Sequence, residues 1–400
     1  MGRQAKATVY QAGVPAPKRV HSRRCASPPV NSTFLSGSVT SHLAAIFHAN
    51  RMVFTSVVLP SPFGEWCNAV IARLVESALG PVELAGADTI EQFTHAVMRT
   101  ELPYLVVGSC QTVGRLWSAL AGAERSFVVA LDDPRLALQN LVVRHGSNFV
   151  EATRIVAKSC ASVLSSIPLP RALVLHAEQA VTDPVGAATA IARHLELHVN
   201  ESDIVQIVAA LADLNPGRWR IEAKLWWDDL EASRRALAID ALGSYFDCVA
   251  VGDLGPVTWG RELFFIDEEQ SPEQRQPASR PVDVTGRPRF VIYGPDITLP
   301  PGAWSAEIAL GFTPEAAEIS YIVDVHAETQ LAQIRIEPGT RRFMEANLNF
   351  LLKEPLMIAV RVWNERAAFD GQLALGHVTL IRQTTARRET REYFANVLSG

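Results

Sequence analysis

Cysteine is scarce in this chain and never patterned. Five residues, Cys25, Cys67, Cys110, Cys160 and Cys248, stand singly along 400 positions. They offer no metal spacing and no framework of bridges, so they read as reduced thiols of a cytosolic protein. No apolar run approaches the roughly 18 residues that span a bilayer. No excess of basic charge points to nucleic acid, because the formal net charge is −5. There is no internal repeat and no convincing Ser-His-Asp or Cys-His arrangement. His194 and His198 flank Glu196 at a zinc-chelating spacing but lack a third ligand. Glu65, Asp132 and Asp133 read as helix caps sooner than as a cation site, so no metal is expected.

Acidic residues are missing from the whole opening stretch. Residues 1–51 contain Arg3, Lys6, Lys18, Arg19, Arg23, Arg24 and Arg51 and no Asp or Glu. The body that follows is acidic. The first 51 residues are rich in Pro, Ser and Ala, without periodicity or a secretory h-region. They read as a disordered basic leader, as a segment ahead of a natural start at Met52, or as an organelle transit peptide.

What is present from Met52 onward is regular. Met52 to Leu59 is a β-rich apolar run, followed by an expected loop at 60–66 and a helix from Glu65 to Leu79. Short apolar strands are expected at Val82 to Leu84, Tyr104 to Val107, Phe127 to Leu131 and Ala172 to Leu175. Helical patterns lie between them, at Thr89 to Arg99, Val113 to Ala121, Asn148 to Ser165 and Asp183 to His194. This alternation specifies a parallel sheet with helices on both faces. Residues 201–247 read as helical. Within them Trp219 to Asp229, with three tryptophans, reads as a lid or a packing helix. A Pro-, Gln- and Ser-rich linker is expected at 266–286.

Beyond it the period changes from 3.6 to 2. Trp304, Ala306, Ile308, Leu310 and Phe312 alternate with smaller or polar residues, and similar runs surround Tyr321, Met344, Met357 and Leu373. An all-β sandwich, jelly-roll-like, is expected over 287–382, with a charged tail at 383–400. Trp304 falls on its core face. Trp363 falls on its outer face and is the candidate for stacking on a sugar ring.

The stretch Ser126 to His145, SFVVALDDPRLALQNLVVRH, organises the α/β part: a buried strand, a turn at Asp132-Asp133-Pro134, and a helix. Asp133 suits a cap and Pro134 the first helical position. Asp133, Pro134 and Arg135 resemble the RDPRDxxxS segment of PAPS-dependent sulfotransferases. Pro60-Ser61-Pro62-Phe63-Gly64-Glu65-Trp66 resembles that family's PKSGTTW loop in Gly64, Trp66 and a proline. Glu178, Asp183, Pro184, Ile191 and Leu195 resemble its later strand and helix. The likeness covers roughly 52–200 and implies a sulfotransferase-like P-loop fold over 52–265.

The resemblance places Pro62, Gly64, Trp66, Asp132, Arg135, Asn140 and Arg144 at cofactor-binding positions. It makes PAPS the implied cofactor and leaves Glu65, His145 and His176 as candidate acid–base groups. The departures bear on chemistry. Asp132 stands where the family has the Arg for the 3′-phosphate, Asn140 replaces its Ser, and Glu65 replaces a donor of the loop, which also lacks its cation. Hydrogen bonds to charged groups contribute about 1.5–3 kcal/mol each, so two lost cations remove roughly two to four decades of affinity.

The expectation is a sulfotransferase-family protein linked to glycan or polysaccharide metabolism, a pseudoenzyme with weak or no PAPS-dependent activity. The alternatives are an active sulfuryl transferase with a rearranged site, in which Arg135, Arg144 or Arg24 replaces the lost cation, and a non-catalytic protein whose sandwich binds carbohydrate or protein.

Overall fold

The computed structural model describes residues 52–111, 116, 120, 125–214, 216–266 and 276–383. The expected leader, most of the helix expected at 113–121 and the charged tail lie outside the described residues. Among these, no helix is long and apolar enough to cross a membrane.

The first part is a five-stranded parallel sheet. Its strands are β1 (Met52–Val58), β2 (Val82–Gly86), β3 (Tyr104–Ser109), β4 (Phe127–Leu131) and β5 (Ala172–His176), in the order β2-β3-β1-β4-β5. The chain leaves β1 toward one edge and later returns to its other side. The carboxyl ends of β1 and β4 therefore flank a topological switch point, where open α/β sheets bind ligands.

Helices cover both faces. On one lie α1 (Pro62–Leu79), α6 (Pro184–His194) and α7 (Glu201–Ala210), packed on Phe54, Val58, Val128 and Leu175. On the other lie α4 (Phe149–Ser166) and α9 (Ala232–Val251), packed on Val57, Val129 and Leu131. The short helices α2 (Ile90–Arg99), α3 (Pro134–Gln139) and α5 (Ala177–Thr182) and the helix α8 (Pro216–Asp229) complete this part. Caps set the boundaries as the sequence indicates. Thr89 forms a full capping box with Gln92, Asn148 accepts from the amides of Val150 and Glu151, and Asp183 accepts from Gly186 N–H.

The second part is antiparallel. One sheet runs β13-β12-β15-β10-β7-β8 and the other β14-β11-β16-β6, with β9 on β16. The strands are β6 (Val257–Gly260), β7 (Phe265–Ile266), β8 (Gln276–Pro277), β9 (Val282–Asp283), β10 (Phe290–Leu299), β11 (Gly302–Phe312), β12 (Tyr321–His326), β13 (Gln330–Ile336), β14 (Phe343–Leu352), β15 (Leu356–Asn364) and β16 (Gln372–Arg382). Trp304, Ile308 and Leu310 of one sheet and Val323, Val325 and Val360 of the other share one core.

Two features differ from the sequence reading. Strands β6 and β7 begin ahead of the expected linker yet pair with β16 and β10 of the antiparallel part. Strand β10 has no clean alternation because its ladder shifts register at two places, one of them just after Pro295.

A single apolar cluster joins the parts. It runs from Val57 and Val129 through Val156 and Cys160 of α4 and Leu242 and Tyr245 of α9 to Trp259, Ile292 and Trp304. Arg154 of α4 fastens the junction. It donates to the Phe264 carbonyl at 3.1 Å and lies 3.9 Å over the Phe265 ring.

Candidate functional site at the carboxyl edge of the parallel sheet

The loop after β1 is shorter than expected. Helix α1 starts at Pro62, so the loop expected over 60–66 is corrected to Leu59, Pro60 and Ser61. The local reason is plain. Ser61 is the N-cap and accepts from Gly64 N–H at 3.2 Å, and Pro62 pre-sets the first helical φ. Gly64 is required by contact, since a Cβ there would sit 2.2 Å from the Leu59 carbonyl oxygen.

This geometry engages donors of the turn. Pro62 brings no N–H, that of Gly64 goes to the Ser61 hydroxyl, and that of Glu65 goes to the Ser61 carbonyl at 3.0 Å. Trp66 is buried and stacks on Phe63 at 5.7 Å, inside the core.

Glu65 is held from across the switch point. Asn140 Nδ2 donates to Glu65 Oε1 at 3.2 Å and to the Pro60 carbonyl at 3.1 Å. Arg144 Nη1 donates to Glu65 Oε2 and to Asn140 Oδ1, both at 3.2 Å, and His145 stands 4.0 Å from Oε1. Asn140–Arg144 is a π turn that continues α3, a distortion frequent at functional sites. The Arg144 guanidinium also lies 4.8 Å over Trp219 of α8, whose buried indole N–H has no acceptor.

The neighbouring loop repeats the pattern. Asp88, after β2, accepts at Oδ1 from the amides of Cys110 and Gln111, both at 2.7 Å, and from the Ser109 hydroxyl at 3.2 Å. Such a nest of amides is an anion site, and here it already holds a carboxylate. Burial first, then the nearby charges of Asp88 and Glu65, push the Cys110 thiol up to about 12. A thiol held protonated is not a nucleophile at neutral pH.

Beyond β4 and β5 the edge opens into a cavity of about 700 Å³. Asp132, Asp133 and Arg135 line it from the end of β4 and the start of α3, and His176 and Glu178 from the end of β5. Arg220, Lys224 and Trp227 of α8 and Phe246 of α9 complete the wall. Arg135 is held by Asp133, with Nε 2.9 Å from Oδ1, and sits 5.5 Å from the Phe246 ring centre. Arg220 stands 3.7 Å from Glu178.

Asp132 is 3% exposed. Its Oδ1 accepts from Asp133 N–H at 2.9 Å, and its Oδ2 has no hydrogen-bond partner. Burial pushes its carboxyl up to about 6, against the lowering effect of the Ser61 hydroxyl, the Asp133 amide and Arg220.

The residues singled out from sequence thus divide. Glu65, Asn140, Arg144 and His145 converge on one side of the α1 N-terminus. Asp132, Arg135 and His176 gather in the cavity on the other. Pro62 and Gly64 shape the turn, and Trp66 is core. Trp363 lies on the antiparallel part, 40% exposed, with Phe290 at 5.6 Å. Sequence reasoning missed Arg220, Lys224, Trp227 and Phe246, which come from helices far along the chain. The three tryptophans of α8 were the available signal. Among the described residues no cluster of three His, Cys, Asp or Glu side chains is placed to hold a metal ion.

No family model matches the sequence, and no curated protein matches it. Among solved structures the chain is similar to mouse sulfotransferase SULT7A1 complexed with PAP, at 14% identity over 45% of this chain and 69% of that one, with a TM-score of 0.34. It is also similar to BtGH115A, a family GH115 4-O-methyl-α-glucuronidase with specificity for decorated arabinogalactans. That likeness has 10% identity over 74% of this chain and 48% of that one, with a TM-score of 0.20. At such scores neither likeness bears on the chemistry of the site.

Proposed function

We propose that this protein is a sulfotransferase-like pseudoenzyme, a binding protein of glycan or polysaccharide metabolism that does not transfer sulfuryl groups from PAPS. One observation carries the reading: at two places on the carboxyl edge, donors are already bound to the chain's own carboxylates. Glu65 takes Asn140 and Arg144, and Asp88 takes the amide nest after β3. A phosphosulfate would have to displace a tethered carboxylate at each place, and Asp132 would repel its 3′-phosphate.

The antiparallel part, read as a jelly-roll-like sandwich, supplies the glycan contact, with Trp363 stacking on a sugar ring. Titration calorimetry of the full chain with PAP and PAPS tests the nucleotide part. No heat is expected at millimolar nucleotide, and micromolar binding would overturn it. A glycan array tests the carbohydrate part, with the signal expected to vanish in Trp363→Ala.

A second reading, an active transferase with a rearranged site, is favoured by Arg220 and Lys224, which bring two cations into the cavity. It predicts sulfate transfer from PAPS to a hydroxyl acceptor, which the first reading forbids.

A further inference from the structure

An open sheet edge is a template for another strand, and folded proteins blunt such edges with short strands, basic residues, proline or bulges. Most edge strands of this molecule fit that rule. Strands β2, β5, β6, β8 and β9 have five residues or fewer, and β13 has seven and carries Arg335. Strand β14 does not fit it. It runs for ten residues, FMEANLNFLL, holds no proline, lysine or arginine, and pairs with β11 without a shift in register. Among the described residues no strand pairs with its other side.

The parity of the strand decides what that side offers. Phe312 N–H donates to the Arg342 carbonyl at 2.8 Å. Alternate residues from there, Met344 to Leu352, turn their backbone groups to β11. Phe343, Glu345, Asn347, Asn349 and Leu351 therefore turn theirs to the open edge. All five are exposed, Phe343 at 82% and Leu351 at 41%.

This set of five complements itself. Laid antiparallel to its own copy about Asn347, it brings Phe343 opposite Leu351 and Glu345 opposite Asn349. The large apolar side chains cover each other, and the carboxylate meets an amide able to donate to it. The two Glu345 carboxylates then stand four residues apart along the strands, about 13 Å. A parallel partner in register would set them side by side. Arg341 falls opposite Lys353 beyond the ladder, both exposed, where solvent screens them. The contact is isologous, so it occupies both edges and closes at two chains.

We propose that the open edge of β14 docks a second copy of this chain, antiparallel and centred on Asn347, so that one sheet continues across the two-fold axis. The proposal is independent of the proposed function, because β14 lies outside the carboxyl edge and in the other sheet from Trp363.

Analytical ultracentrifugation of the full chain tests it. One strand pair is a small interface, so a dimer of twice the 43.7 kDa chain is expected at about 100 μM and a monomer at about 1 μM. Phe343→Lys and Asn347→Pro are each expected to weaken association by about tenfold or more. The proline removes only an outward N–H, and an edge strand tolerates that. Asn347→Cys is expected to form an interchain disulfide under mild oxidation, because the hydrogen-bonded pair holds the two Cα atoms about 5.5 Å apart. Glu345→Cys, far from its copy, is expected to cross-link no more than the wild type. Association unchanged in both Phe343→Lys and Asn347→Pro, or equal cross-linking of the two cysteine variants, would overturn the proposal. A wild type still monomeric at the higher concentration would overturn it too and leave the edge to another segment of the chain or to a different protein. The wild-type mass and the cysteine pair decide the matter even if the proline variant fails to fold.

Discussion

The two parts of the molecule treat a buried carboxylate in opposite ways. In the antiparallel part, Asp324 is 5% exposed and fully engaged. Arg361 reaches it with two parallel donors, Nε to Oδ1 at 2.9 Å and Nη2 to Oδ2 at 2.6 Å, across directly paired positions of β12 and β15. In the parallel part, Asp132 is equally buried and keeps one oxygen without a donor. A paired charge inside a sheet fixes register and orientation. An unpaired one at the carboxyl edge of a parallel sheet carries the cost of desolvation without that return.

The largest effect should come from breaking the satisfied pair. Asp324→Ala leaves Arg361, whose side chain is only 17% exposed, without its counter-charge and is expected to cost about 3–5 kcal/mol in chemical denaturation. A loss below about 1 kcal/mol would put the pair with exposed ion pairs and erase the contrast.

Removing the unsatisfied charge should do the reverse. Burial pushes the folded-state carboxyl of Asp132 up to about 6 from an ordinary 3.8. The native state therefore binds the proton more tightly than the unfolded chain. Stability contributed by the protonated form is complete below the ordinary value and is lost as pH rises through 6. Asp132→Asn is expected to stabilise the protein by about 2–3 kcal/mol above that range and hardly at all below pH ~4. Melting temperatures of both proteins across pH would reveal it, and a variant destabilised at neutral pH would show that Asp132 is structurally paired after all.

Smaller effects are expected at the α1 N-terminus. Ser61→Ala removes the cap on Gly64 N–H and should cost about 1 kcal/mol. Glu65→Gln touches a half-exposed pair, with 38% exposure of each partner's side chain, and should cost no more than about 1 kcal/mol. Its more telling readout is ligand binding. PAP affinity that appears only in Glu65→Gln would identify the tethered carboxylate as the block.

Much of the fold was legible. Strands β1 to β5 are short apolar runs, and Thr89, Asn148 and Asp183 announce the helices they cap. The alternation through Trp304 to Phe312 gave the correct inward face, and Trp304 is fully buried. Strands β6 and β7 were not legible as part of the antiparallel region, because both are very short, and β10 fell inside the expected sandwich with a broken alternation that hid its outline. The loop after β1 was misjudged for a different reason. The likeness to PKSGTTW suggested an extended loop, while Ser61-Pro62 carried a helix-start signal that local chemistry honours.

The site was legible in its parts and not in its grouping. Glu65 and Arg144 lie 79 positions apart, and no period or motif links them. The same holds for Asp132 and Trp227, which share one cavity wall.

The sequence by itself determined the alternation of elements, the caps and the two hydrophobic periods. Those depend on residues within a few positions of one another. Only the tertiary structure decided that α4 and α9 join both parts in one core, that Glu65 is spoken for, and that Asp132 is not. Hydrogen-bond satisfaction is a property of neighbours in space, and the chain fixes those neighbours only when it closes.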